Sequence, residues 1–266
     1  MISILLGVIF FVPLLFPLYW IVAASFQNLT TIFANPPALF PTHIYTGNYS
    51  LAFGPILGNI GTSLVVALGV VALSWLIGVP AAYALALRGG WLSSAMILIM
   101  LLTQMVPGIS LSIALYTIFH QWGLLGTYAG LILADASAGV PLVVLIVRAF
   151  MVSLPRELFE AAALDGAGPL RSFFRIGVPL AVPAVMTVGL FAFLAAWSDF
   201  VNAFTLDSGG GPQPLTLGLY KFVGLYSSNI GAIFAATTIA AIPTTILLFV
   251  AQRWIRGGLR AGGLKG

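Results

Sequence analysis

The residues able to do chemistry are few and scattered. There are two histidines, His43 and His120, and no cysteine, which removes thiol nucleophiles, disulfides and Cys/His metal centres. No two carboxylates are spaced as an acid–base pair, so catalysis by this chain is not expected. Gly209-Gly210-Gly211-Pro212 is no phosphate loop, because no Gly-Lys-Ser/Thr follows it. The chain is therefore expected to hold neither an ATPase nor a cofactor or metal of its own. What remains is a handful of polar groups inside apolar runs: Gln104 beside Pro107-Gly108, Asp135, and Asp199 and Asn202 around Trp197-Ser-Asp-Phe200. Ionisable side chains in hydrocarbon are costly and face a cavity or a partner. Gln104, Asp199 and Asn202 are thus candidates to line a polar path, with interhelical hydrogen bonding, or for Asp199 a place near an interface, as the alternative.

The densest charge lies elsewhere, between Pro155 and Pro179. Arg156, Glu157, Glu160, Asp165, Arg171 and Arg175 fall here. Pro155 suits the first turn of a helix, and Glu157 and Glu160 suit its early turns, where negative charge favours the dipole. Asp165-Gly166 closes that helix, since glycine accepts the left-handed conformation. Gly168-Pro169 opens a second short one. The expectation is a helix–turn–helix, residues 153–179, too short and too charged to cross a bilayer.

The surroundings are of a different kind. Across 266 residues, 61% are hydrophobic, 6% are charged and mean hydropathy is +1.12, against about a quarter charged in a soluble domain. A soluble fold could not solvate such a surface, so this is a polytopic membrane protein. Spans are expected at 2–26, 59–87, 93–119, 127–149, 180–204 and 230–252, in a single transmembrane domain covering 1–266. Residues 2–26 are too long for a cleavable leader, and no basic region precedes them. The stretches 27–57 and 206–228, rich in turn residues, are expected as outward loops. Each span carries proline (Pro13, Pro17, Pro80, Pro107, Pro141, Pro183, Pro243), as a bundle that alternates between conformations would use. Nine of the ten Lys and Arg fall on one side and only Lys221 on the other. By the positive-inside rule the charged loop and both termini are cytoplasmic. The basic isoelectric point, about 9.6, is read as this topology signal and not as nucleic-acid binding. The tail, 257–266, is too glycine-rich for a stable helix.

Glu160-Ala161-Ala162, then Gly166, Ile176 and Pro179 resemble the EAA loop of ABC-importer permeases, with Val178 where the family usually has Leu. Phe33-Ala-Asn-Pro-Pro, Asn48-Tyr49, Trp122-Gly-Leu-Leu-Gly-Thr-Tyr128 and the tail extend the resemblance to carbohydrate-importer permeases of the maltose type. It implies an all-α membrane protein of the MetI/MalG-like fold in a bacterial inner membrane. It implies partners as well: a second, MalF-like permease, an ATPase dimer that binds Mg-ATP, an extracytoplasmic substrate-binding protein, and membrane lipid. Glu157, Glu160, Ala161, Ala162, Asp165, Gly166, Ile176 and Pro179 would couple the helices to the ATPase. Asp207, Gly209, Gly210, Gly211 and Gln213 would meet the binding protein. The implied cargo is a mono-, di- or oligosaccharide. Glycerol phosphodiesters, polyols or polyamines are the alternatives within the class, and an ion-driven transporter built around Asp135 and Asp199 is the alternative outside it.

Overall fold

The computed structural model describes the backbone of residues 2–262 and side-chain surroundings for residues 12–249. The described residues form helices and connections: α1 Ile2–Ser25, α2 Leu29–Ile32, α3 Gly47–Arg88, α4 Gly90–Thr103, α5 Gly108–Trp122, α6 Tyr128–Val152, α7 Glu157–Leu164, α8 Pro169–Ser172, a π-helical turn Phe173–Gly177, α9 Val178–Ser198, α10 Val201–Thr205, α11 Leu215–Leu225 and α12 Ile230–Gly262. Four helical stretches are long and apolar enough to span a membrane, and α4 with α5 makes a fifth if that bent pair counts as one span. The 24-residue α1 occupies the place of the first expected span, with its side chains before Val12 outside those described. Large apolar side chains such as Leu76, Trp91, Met105 and Ile109 point outward, as lipid-facing groups do.

Several expected boundaries are corrected. The second span does not begin at residue 59. Its helix, α3, starts at Gly47 and runs 42 residues, about 60 Å at 1.5 Å per residue, against roughly 30 Å of hydrocarbon. The latter part of the expected loop 27–57 is therefore helix, started by buried Asn48, whose Nδ2 donates to the carbonyls of Ser25 (3.0 Å) and Gln27 (2.8 Å). The third span, 93–119, is two helices bent by 97°. Pro107 lacks an N–H and disfavours helix in the residue before it, so the ladder stops at Gln104. The fifth, 180–204, breaks at Asp199, which takes an extended conformation (ψ 128°) before α10. The expected loop 206–228 contains α11, with Leu215, Leu217 and Phe222 buried. The tail continues α12 as far as Gly262. Each glycine costs a helix about 1 kcal/mol, yet extending an existing helix needs no new nucleus. Residues 263–266 lie outside the described residues.

The chain divides into two compact units, 1–61 with 215–246, and 62–214 with 247–266. In the first, Ser25 Oγ and the Tyr49 hydroxyl lie 2.8 Å apart, and Gln27 Nε2 donates to the Ala38 carbonyl at 3.0 Å. In the second, a core of Val79, Ala82, Tyr83, Val143, Val144, Val147, Phe173, Ala181 and Val188 joins α3, α6, the π turn and α9. Small residues let these helices approach closely. A Cβ on Gly189 would strike the Trp75 ring, and one on Gly78 would strike Val143.

Candidate functional site

The charged segment is built as a helix pair with one side fastened to the second unit's core. Helix α7 carries Glu157 and Glu160 in its first turns, both exposed, and buries Ala162. Pro155 lies just before the helix, not in its first turn: Arg156 is the N-cap, and Leu158 N–H donates to the Pro155 carbonyl at 3.3 Å. The closing turn is the one expected at Gly166. Its φ is +79°, the Ala167 N–H donates to the Ala162 carbonyl (2.9 Å), and the Gly166 N–H donates to the Ala163 carbonyl (3.1 Å). This is the Schellman pattern, in which a left-handed residue lets the chain satisfy the last free carbonyls of a helix.

The second arm departs from expectation. Helix α8 does not end before the fifth span. It passes through the π turn into α9, so that 169–198 is one apolar helical stretch. Pro179 accordingly sits in the first turn of α9, and Ile176 is half-buried in the π turn. π-Helical turns recur at functional positions. Tyr83 of α3 clamps both arms: its ring centroid lies 6.1 Å from Phe159 of α7 and 5.1 Å from Phe173. A cavity of about 300 Å³ beside α7 is lined by Leu87, Arg156, Phe159 and Glu160. The outer surface of the pair exposes Leu164 (90%), Leu170 (75%) and Phe174 (67%) together with the two glutamates and Asp165. Such an apolar and acidic patch is a surface to be covered.

The polar residues of the spans gather at the helix breaks. Asn202 of α10 donates from Nδ2 to Asp135 Oδ1 of α6 (2.7 Å) and accepts from Ser112 Oγ of α5 (2.5 Å). Asp199 caps α10, its Oδ2 accepting from the Ala203 N–H at 3.1 Å. Gln104 stands apart from this cluster, exposed. Its Nε2 donates to the Ala138 carbonyl of α6 at 3.0 Å. Of the three sequence-predicted path residues, then, Asn202 and Asp199 share one region and Gln104 another. Sequence reasoning missed Ser112, whose type gives no signal in an apolar run. Asp135, a lone carboxylate in a span, gave one.

Asp207, Gly209, Gly210, Gly211 and Gln213 lie in the stretch between α10 and α11. Asp207 Oδ1 accepts from the Gly209 N–H at 3.1 Å, and Gly209 has φ +84°. The segment is held to the turn before α6, where the Gly126 N–H donates to the Leu206 carbonyl at 2.9 Å. Gly211 packs so closely on Gly126 that any Cβ there would strike its backbone, whereas Gly210 is open and exposed.

Residues 74–261 match the family described as the binding-protein-dependent transport system inner membrane component. The chain belongs to this family. Among curated proteins, it is 32% identical to the sulfoquinovosyl glycerol transport system permease protein SmoH of Agrobacterium fabrum, over 95% of this chain and 89% of the relative. It is 31% identical to the diacetylchitobiose uptake permease DasC of Streptomyces coelicolor (98% and 95% covered) and to the maltose/maltodextrin permease MalG of Yersinia pestis (97% and 90%). Among solved structures, a bacterial ABC transporter involved in the import of alginate superposes with a TM-score of 0.79 at 22% identity, covering 94% of both chains. The inward-facing methionine transporter MetNI gives 0.57 at 17%, over 78% of this chain and 96% of that one. The permease is thus a MalG-like, all-helical, multi-pass inner-membrane protein, a transport subunit and not an enzyme.

Proposed function

We infer that this permease is one subunit of an ATP-driven importer for a carbohydrate, enclosing the path with a second, MalF-like permease. The carbohydrate reading rests on the relatives, whose names specify sulfoquinovosyl glycerol, diacetylchitobiose and maltose or maltodextrin. The coupling reading rests on one observation: an exposed acidic and apolar helix pair that is mechanically continuous with the spans through 169–198 and Tyr83. In this reading the pair, on the cytoplasmic side with both termini, docks on an ATPase dimer that binds Mg-ATP. Closure of that dimer moves the pair, and α9, with no break from α8, carries the movement into the bundle. Exchange between inward and outward openings is then a two-state equilibrium biased by nucleotide. Glu157, Glu160, Ala161, Asp165 and Gly166 form the docking face, and Ala162, Ile176 and Pro179 fix it to the helices. Asp199, Asn202 and Gln104 border the path, and the segment from Asp207 to Gln213 meets a substrate-binding protein outside.

The test is Glu160→Lys in the complex expressed with its partner genes. Membrane level should be unchanged, while co-purification of the ATPase and uptake of labelled maltose or diacetylchitobiose should fall at least tenfold. Normal uptake by this variant would overturn the coupling reading. Uptake of glycerol phosphodiesters or polyols with no response to any saccharide would overturn the carbohydrate one.

A further inference from the structure

The segment between α1 and α3 does not rise away from the end of the first span. It turns back along it. Gln27 Nε2 donates to the Ala38 carbonyl (3.0 Å), and the Tyr19 hydroxyl donates to the next one, Leu39 (2.8 Å). The Tyr19 and Phe40 rings meet edge to face at 5.8 Å. The Tyr45 N–H then donates to the Phe26 carbonyl at 2.8 Å, back at the helix end. Tyr19 stands six residues before Ser25, the last of α1, which is about 9 Å along the axis. A helical side chain leans toward its own N-terminus, so the tyrosine hydroxyl is no nearer that end. Residues 38–40 therefore descend beside α1 to the level of Tyr19 before the chain climbs again. The helix itself says what that level is. Its unbroken apolar and aromatic run, Ile4–Ala24, is bounded by Ser3 and Ser25 and is about 31 Å long, against roughly 30 Å of hydrocarbon. Tyr19 and Trp20 lie just inside the edge of that run, as the aromatic belt of a span does.

We propose that residues 33–45 form an apolar apron seated in the interfacial layer of the bilayer beside α1, with lipid as its partner. The side chains suit that place. Phe33, Phe40 and Ile44 are 67%, 70% and 73% exposed, with Leu39 and Tyr45 exposed beside them. No Asp, Glu, Lys or Arg precedes Arg88 in the chain, so nothing in the segment resists leaving water or offers a charge to a protein surface. The backbone suits it as well. Polar groups near hydrocarbon must find partners within the protein. At the lowest point, both consecutive carbonyls accept from side chains, Gln27 and Tyr19. Pro36, Pro37 and Pro41 carry no N–H to satisfy. A connector in water would need neither provision, because water would serve those carbonyls. A protein dock would carry the polar rim that such interfaces have. The apron extends the lipid-facing side of α1 sideways and ties it at two depths, which fixes the tilt of a span that anchoring residues otherwise leave free. It stands apart from the solute and from the α7–α8 pair.

The experiment uses the full chain, purified with its partner subunits and reconstituted into nanodiscs of phosphatidylethanolamine and phosphatidylglycerol. The photoreactive amino acid p-benzoylphenylalanine replaces Phe40 in one sample and Ile44 in another. Both positions are exposed, so the probe needs no room in a core, and an unchanged melting temperature checks the fold. After illumination, mass spectrometry of this chain reads lipid adducts, and gel mobility reads crosslinks to other subunits. Lipid adducts should form at both positions, with at least tenfold the yield of any protein crosslink. Addition of the substrate-binding protein should leave that yield unchanged. Tyr19→Phe keeps a ring in place but removes the donor to the Leu39 carbonyl. It should lower the lipid yield at position 40 at least threefold, and an unchanged yield would overturn the argument from depth. Crosslinks chiefly to another permease, or lipid adducts lost when the binding protein is added, would make the segment a protein dock. Absence of any adduct would place it in water. Each of these results overturns the proposal.

Discussion

Gly166→Ala isolates the turn between the two arms. At φ +79° an L-residue is strained, but a Cβ there meets nothing within 4 Å. The whole cost is therefore conformational, about 1 kcal/mol, which is about a fivefold shift away from the closed turn. What is lost is the geometry that lets Ala167 and Gly166 donate to the Ala162 and Ala163 carbonyls. Gly168, two residues on, supplies the control. Its φ of −66° is open to any residue, its surroundings are equally empty, and it stands at the N-cap of α8, where serine is favoured. Gly168→Ser should thus be neutral. The assay is solute uptake and stimulated ATP hydrolysis in membranes matched for permease level. Gly166→Ala should reduce both severalfold, up to about fivefold, with Gly168→Ser unchanged. If the two substitutions behave alike, or if Gly166→Ala keeps full uptake, the turn is no part of the coupling device.

Asn202→Leu should lower the melting temperature of the purified protein, because Asp135 loses a hydrogen bond and Ser112 keeps only its own-helix acceptor Gly108; the expected cost is about 1–3 kcal/mol. Ser198→Ala, whose exposed hydroxyl bonds only carbonyls of its own helix, should change it by less than about 0.5 kcal/mol. In the segment after α10, Gly210→Val should fold normally and, if the segment enters a binding protein, leave more sugar in the complex after vanadate trapping; retention equal to wild type would make it a connector only. Gly211→Val should instead depress the level of folded protein, since its side chain would strike Gly126.

How much of this the sequence made legible varied with the length scale of the cause. The turn at Gly166 was readable because it depends on one residue's backbone freedom and on the acidic helix before it. The apolar spans were readable because their signal sums over twenty residues. Their ends were not. The start of α3 at Gly47 depends on Asn48 reaching the carbonyls of Ser25 and Gln27, contacts more than twenty residues distant. Pro107 was visible, but only tertiary packing decided that it would bend the chain by 97° where Pro141 and Pro183 remain inside helices. The fusion of α8 to α9 was hidden because it runs through a π turn, Phe173–Gly177, that no residue type in the sequence announces. The partnership of Ser112 with Asn202 joins residues ninety apart and has no local signature.

The breaks change what the polar residues in the spans mean. A helix interrupted in hydrocarbon leaves backbone groups that nothing in the lipid can satisfy, and side chains must do it. Asp199 takes the free N–H of Ala203 at the start of α10 and is thus required by the break itself, whatever passes between the helices. Gln104, at the end of α4, reaches instead the Ala138 carbonyl inside the unbroken α6. The group whose presence the breaks do not explain is Asp135 with Asn202 and Ser112, which joins three separate helices through side chains alone. Apolar packing could have held those helices at less desolvation cost. A polar node kept where apolar contacts would serve is the better place to look for the path, and Asn202, at its centre, is the residue that both readings share.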